Sequence, residues 1–326
     1  MASNESATEN TKGQDTTGPE RKDKLYVIAA ISNPKEYKRR YELALKFIDH
    51  ITTFNIELTV VECQLGQRPF HIPISETSKY NVVRVRNNSE IWLKENLINI
   101  GIKSLPPEAK YVAWIDADLE FENANWVDQT IESLKRHHFV QLFRTCSDLG
   151  PDRSVLELHH SLVYFLYHSD KIDKTLKGTP YQPGYAWAGR IDTIQKLGGL
   201  FELAICGSGD RHMGYSFVGQ EYFSMPTRIN KVYKDKVSEW ASKAQNIVQR
   251  NIGYVDGNIL HNWHGKKENR KYIDRWQILI DNEIDLEQHL TKNDQGVLEW
   301  SESAPLKLKN DLSEYFSQRN EDSNDV

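Results

Sequence analysis

The apolar residues of this chain fall into short unbroken runs separated by amphipathic stretches. Leu25-Tyr26-Val27-Ile28-Ala29-Ala30-Ile31 is continuous, the pattern of a strand covered on both faces. Ser32-Asn33-Pro34 ends it, because proline cannot donate to a ladder. From about Tyr37 to Thr52, Tyr41, Ala44, Leu45 and Ile48 recur at helical spacing. Ile56 to Cys63 and Val82 to Arg86 read as strands. Ile91 to Leu105 reads as a helix with Ile91, Leu97, Ile98 and Ile102 on one side. Tyr111-Val112-Ala113-Trp114-Ile115 is the next strand, and it stops at Asp116-Ala117-Asp118. Trp126 to His137 is amphipathic, and Val140 to Phe143 is strand-like.

This alternation predicts an α/β fold: a Rossmann-like, mostly parallel central sheet with helices on both faces. Right-handed crossovers place the strand C-termini along one edge. Ser32, Asn33, Glu62, Arg86, Asn87, Asp116 and Asp118 are therefore expected around one crevice. A single domain is expected over 24–300, with a nucleotide-binding half over 24–120 and an acceptor half over 121–300. A C-terminal helix and tail follow over 301–326. Residues 1–23 and the stretch from about Ser317 onward hold few large apolar side chains. Both are expected to be disordered, since burial there cannot offset ordering entropy.

A net charge of −5 excludes a broadly basic nucleic-acid face while leaving room for a local basic groove. Cys63, Cys146 and Cys206 show no C-x-x-C spacing and read as reduced, structural residues. No apolar run approaches the roughly 20 residues that span a bilayer, and the N-terminus has no apolar signal core. A soluble, cytoplasmic protein is expected.

Three constellations carry chemistry. Asp116 and Asp118 end a buried strand, where carboxylates are costly unless a charge partner such as a divalent cation neutralises them. Gly184 to Arg190, Gly198-Gly199-Leu200-Phe201 and Gly207-Ser208-Gly209-Asp210 allow close backbone approach around a pocket. Asp210 there is either a helix cap or a general base. Trp187 is either core or a stacking surface. In His261-Asn262-Trp263-His264-Gly265 the histidines are either packed side chains or metal ligands. Lys266, Lys267, Arg270 and Lys271 after them form either a solvated helix start or a diphosphate clamp.

Taken in order, D-x-D, G-x-G-D and H-x-W-H-G resemble the metal-dependent glycosyltransferases of the GT-A fold, in particular family-2-like and galactosyltransferase-like enzymes. The resemblance covers about residues 24 to 275. It implies a Mn²⁺ or Mg²⁺ ion on Asp118, joined by Asp116 or with Asp116 facing the ribose or a metal-bound water. His261 or His264 would complete the ligands. It implies a nucleotide-diphosphate sugar donor, a UDP-sugar, with Ser32, Asn33 and Glu62 at the base and ribose and Arg86 on the same donor edge. Asp210 matches the catalytic base, with Gly209-Asp210 replacing the family's Glu-Asp pair, and inversion is expected. Trp187 would stack on the acceptor. The acceptor is left open among a glycan, a protein, a metabolite and a modified nucleobase. One alternative is a sugar nucleotidyltransferase, although Ser32-Asn33-Pro34-Lys35 lacks the Gly-rich loop such enzymes carry. Another is a degenerate nucleotide-sugar-binding module, although the D-x-D and the acid are both present.

Overall fold

The computed structural model describes residues 23–169 and 181–325. The tail expected to be disordered lies, up to residue 22, outside the described residues. The first half runs β1 (Leu25–Ser32), α1 (Lys38–Ile51), β2 (Glu57–Leu65), β3 (Tyr80–Asn87), α2 (Lys94–Lys103) and β4 (Tyr111–Ile115). There follow β5 (Leu119–Phe121), α3 (Trp126–Leu134), β6 (Phe139–Gln141), β7 (Thr145–Leu149), β8 (Val155–Ser161) and α4 (Leu162–His168). Beyond the gap come β9 (Tyr181–Gln182), β10 (Ala186–Arg190), α5 (Ile191–Leu197), α6 (Gly209–Phe217), α7 (Lys231–Val248), β11 (Ile252–Tyr254) and β12 (Asn258–His261). The chain ends with α8 (Trp276–Asp281), β13 (Leu290–Lys292), β14 (Leu298–Trp300) and α9 (Leu306–Gln318).

A seven-stranded sheet ordered β11-β6-β10-β4-β1-β2-β3 forms the centre. Only β10 runs antiparallel to its neighbours, so the sheet is mostly parallel as expected. Alternation in β1 explains the two-sided core. Leu25, Val27, Ala29 and Ile31 face α1 and α3, while Ile28 faces the α2 layer. β4 is buried at every position, which accounts for its uninterrupted apolar run.

A second sheet, β5-β12-β7-β8-β9, stands beside the first. The turn Asp116-Ala117-Asp118 joins β4 of one sheet to β5 of the other. Among the described residues no helix is long and apolar enough to cross a membrane.

Candidate active site

Strand register assembles the site. β5 runs antiparallel to β12 with Leu119 opposite His261, and the Asn262 amide donates to the Asp118 carbonyl at 2.9 Å. Residues 142 and 144 positions apart are thereby held side by side. Asp118 Oδ2 lies 3.1 Å from His264 Nε2 and 3.8 Å from His261 Nε2. The ligating atoms of Asp118, His261 and His264 all lie within 4.8 Å of one another. Both histidines belong to the cluster.

The other ring nitrogens are anchored. His261 Nδ1 donates to Asp148 at 2.9 Å and His264 Nδ1 to Glu321 at 3.2 Å. An imidazole whose Nδ1 proton faces a carboxylate carries its lone pair on Nε2, the arrangement that orients metal-bound histidines; in His264 that lone pair accepts from Arg270 Nη2 at 2.9 Å, a contact a cation would displace. Burial pulls the His264 pKa down and the nearby Arg270 charge adds to it, while the Asp118 and Glu321 carboxylates pull the other way. Burial alone would raise Asp118, yet the two histidines hold it below the usual carboxylate range. Its Oδ1 is buried without a hydrogen-bond partner. An orphaned carboxylate oxygen beside two imidazoles fits a divalent cation.

Asp116 is not in this cluster. Its amide still pairs with the Tyr185 carbonyl at the first sheet's edge, whereas the turn hands Asp118 to the second sheet. The Asp116 carboxylate meets Lys94 Nζ at 2.5 Å, and the same ammonium lies 3.9 Å from Asp210. Burial would lower the Lys94 pKa, but the Asp116 and Asp210 charges overcome it and keep it an ammonium. Asp210 is the second residue of α6, with its carboxylate against Gly184, where any Cβ would collide with Oδ2. Asp116, Asp118, Asp210, Lys94, Ser32 and Asn33 all line one cleft of about 680 Å³.

Three expected site residues lie elsewhere. Glu62 sits three residues short of the end of β2 and is fully buried. Its carboxylate accepts the amides of His71 and Ile72 and the Gln64 side chain, so it holds a loop rather than a nucleotide. Arg86 is on β3, an edge strand of the central sheet, and does not line the cleft. It donates to the Gly66 and Arg68 carbonyls and stacks on Phe70. Trp187, the second residue of β10, is 1% exposed with its Nε1 donating to the Pro183 carbonyl, a core side chain. Asn33 does line the cleft, but both ends of its amide are spent closing the turn to Tyr37.

The basic run after the motif divides its work. Lys267 Nζ fills the space between Asp148, Glu157 and His159 at 2.7, 2.7 and 2.8 Å, so that cluster is closed by an ammonium. Arg270 is buried and donates to His264 Nε2 at 2.9 Å.

The C-terminal stretch from Ser317, expected to be disordered, instead packs over the site. Glu321 is 1% exposed and is held by Arg40, Arg319 and His264. Trp263 Nε1 donates to the Ser323 carbonyl, and Asp322 caps the first amides of α1. Gly265, at φ +83°, is required because a Cβ there would reach the Asn320 carbonyl at 2.8 Å. Ion pairing orders a polar segment that its poor apolar content could not order. Lys94, Asp148 and Glu321 had no sequence signal, since each stands outside any short motif.

The β3-β2-β1-β4 order, the antiparallel β10 and a D-x-D turn joining the two sheets make the fold GT-A-like. No family model matches the chain, and no curated protein matches it. Similar solved structures include the 1–349 fragment of S. aureus TarS, at 14% identity and TM-score 0.33 over 80% of this chain. The chain spans only 65% of that fragment. The catalytic domain of Drosophila beta1,4-galactosyltransferase 7 with xylobiose is 13% identical, TM-score 0.39, covering 89% of this chain and 98% of that one. The 4-diphosphocytidyl-2C-methyl-D-erythritol synthase of Anaerococcus prevotii is 14% identical, TM-score 0.32, covering 72% and 89%. At this level the likeness carries no argument about donor, acceptor or reaction.

Proposed function

We propose that this chain is a metal-dependent glycosyltransferase that moves a sugar from a nucleotide-diphosphate donor, a UDP-sugar, to an acceptor hydroxyl. The observation that carries the reading is the Asp118–His261–His264 cluster, with both Nδ1 atoms anchored on carboxylates and Asp118 Oδ1 unpartnered at the cleft. These three residues would hold Mn²⁺ or Mg²⁺, which when bound supplies Lewis-acid neutralisation of the departing diphosphate.

The chain's own groups supply the rest. Asp210, part-exposed at the cleft, takes the proton of the acceptor hydroxyl as its oxygen bonds to the anomeric carbon. The glycosidic C–O bond breaks with its electron pair on the diphosphate oxygen, and attack from the opposite face inverts the configuration. Lys94 fixes Asp116 and Asp210 relative to each other, so the base is oriented before the acceptor arrives. Arg270, adjoining His264, offers a guanidinium to the leaving diphosphate.

The test is thermal stabilisation by a panel of nucleotides and nucleotide-sugars, with Mn²⁺ and with chelator. Metal-dependent stabilisation by one nucleotide family is expected. No shift with any of them would remove the donor and the assigned role of Asp118.

A further inference from the structure

Arg275 differs from Arg40 and Arg319, two other guanidiniums of the cleft. It is 6% exposed and lines the cleft. Among the described residues no carboxylate lies within 4.0 Å of it, whereas Arg40 and Arg319 both reach Glu321. Its Nη2 donates to Ser208 Oγ at 2.7 Å and its Nη1 to the Tyr315 hydroxyl at 3.4 Å. Its Nε is buried without an acceptor. A buried cation without a counter-charge is strongly unfavourable, and neutral hydroxyls do not balance it.

Position separates Arg275 from Arg270, the other buried guanidinium without a carboxylate. Arg270 donates to His264 and so belongs with the cation cluster. Arg275 grips Ser208, which leads directly into Gly209-Asp210. Gly207, at φ +87°, exists for this contact, because a Cβ there would lie 2.9 Å from Arg275 Nη1. The 207–210 segment thus carries the guanidinium at one end and the Asp210 carboxylate at the other.

We propose that Arg275 anchors an oxyanion subsite on the Asp210 side of the cleft, which takes a carboxylate or phosphate carried by the acceptor. The planar fork of arginine suits two-point recognition of such a group. Assigning the anion to the acceptor rests on the glycosyltransferase reading; the anion site itself does not. It narrows the acceptor from any hydroxyl compound to an acidic one.

The experiment uses the full chain with inorganic phosphate, UDP and Mn²⁺ as probes, read by calorimetry and thermal unfolding. Phosphate should bind the protein already saturated with UDP and Mn²⁺. Arg275→Met should weaken phosphate by about tenfold or more while leaving UDP affinity within about twofold. Without phosphate the variant should unfold at the same temperature or higher, because an uncompensated charge has gone. Arg275→Lys should retain part of the phosphate binding. Competition between phosphate and UDP, or loss of UDP affinity in Arg275→Met, would assign the guanidinium to the donor and overturn the proposal. Unchanged phosphate affinity, or a lowered unfolding temperature without ligand, would overturn it too. If no nucleotide binds but phosphate binding still depends on Arg275, the donor reading fails and the anion site stands.

Discussion

His261 stands opposite Asp148 in the β12–β7 register, and its Nδ1 lies 2.9 Å from the Asp148 carboxylate. Tyr185 and Lys267 also donate to that carboxylate, so the imidazole is oriented by a group that is itself fixed. Asp148→Asn should lower Mn²⁺ affinity about 10–100-fold, as loss of a group supporting a metal-bound histidine does. Asp118→Ala should abolish binding. Titration calorimetry with Mn²⁺ checks both, and wild-type affinity in Asp148→Asn would leave Asp148 with a packing role only.

Asp210→Asn should retain Mn²⁺ and nucleotide binding and lose transfer by roughly 10²–10⁴-fold, the usual contribution of a positioned base. Single-turnover rates at saturating donor measure this. A fully active variant would mean another group removes the proton.

Glu95, against Gly209 next to Asp210 in the chain, has its carboxyl pushed up to about 7 by burial, with Lys94 pulling against that. A folded-state pKa above the unfolded value means that folding favours the protonated acid. The contribution is present below about pH 4.5 and is lost as pH rises through 7. Glu95→Gln should therefore be more stable than wild type at pH 8, by up to about 3 kcal/mol. The gap should close as pH falls to 5. Urea unfolding across that range reads it, and a pH-independent difference would refute the linkage.

Glu321 is held well below its ordinary pKa: burial opposes ionisation, but Arg319, Arg40 and His264 outweigh it. A depressed folded pKa gives stability that is present above about pH 4.5 and lost on acidification. Glu321→Gln should destabilise by about 3–5 kcal/mol, because Arg319 and Arg40 lose their counter-charge. It should also weaken Mn²⁺ binding through His264. Denaturant unfolding and metal titration on the same sample separate the two effects.

The framework was legible because its signals are local. The unbroken runs of β1 and β4 and the helical spacing of α1 each need one short window of sequence. Asp118, His261 and His264 were legible because each lies in a motif. Glu62 and Arg86 misled because the end of a strand was taken as the edge of the cleft. β2 continues past Glu62 to Leu65, and β3 lies too far along the sheet. Asp148, Lys94 and Glu321 depend on pairings across the chain, which no window contains. The closing segment shows the same limit from the other side: its Glu321 is paired with Arg40 and His264, which lie far away in sequence, as well as with its own Arg319.

The D-x-D turn belongs to neither sheet alone, and this bears on modularity. A fragment carrying β1 to β5 would hold Asp116 and Asp118 and neither His261 nor His264. A fragment carrying β6 onward would hold the imidazoles and no Asp118. Neither piece has a weak version of the cation site that selection or design could improve by itself. Exchanging halves with another protein of similar framework would succeed only where the β5–β12 alignment is carried across the junction, since one residue of slip turns His261 to the opposite face.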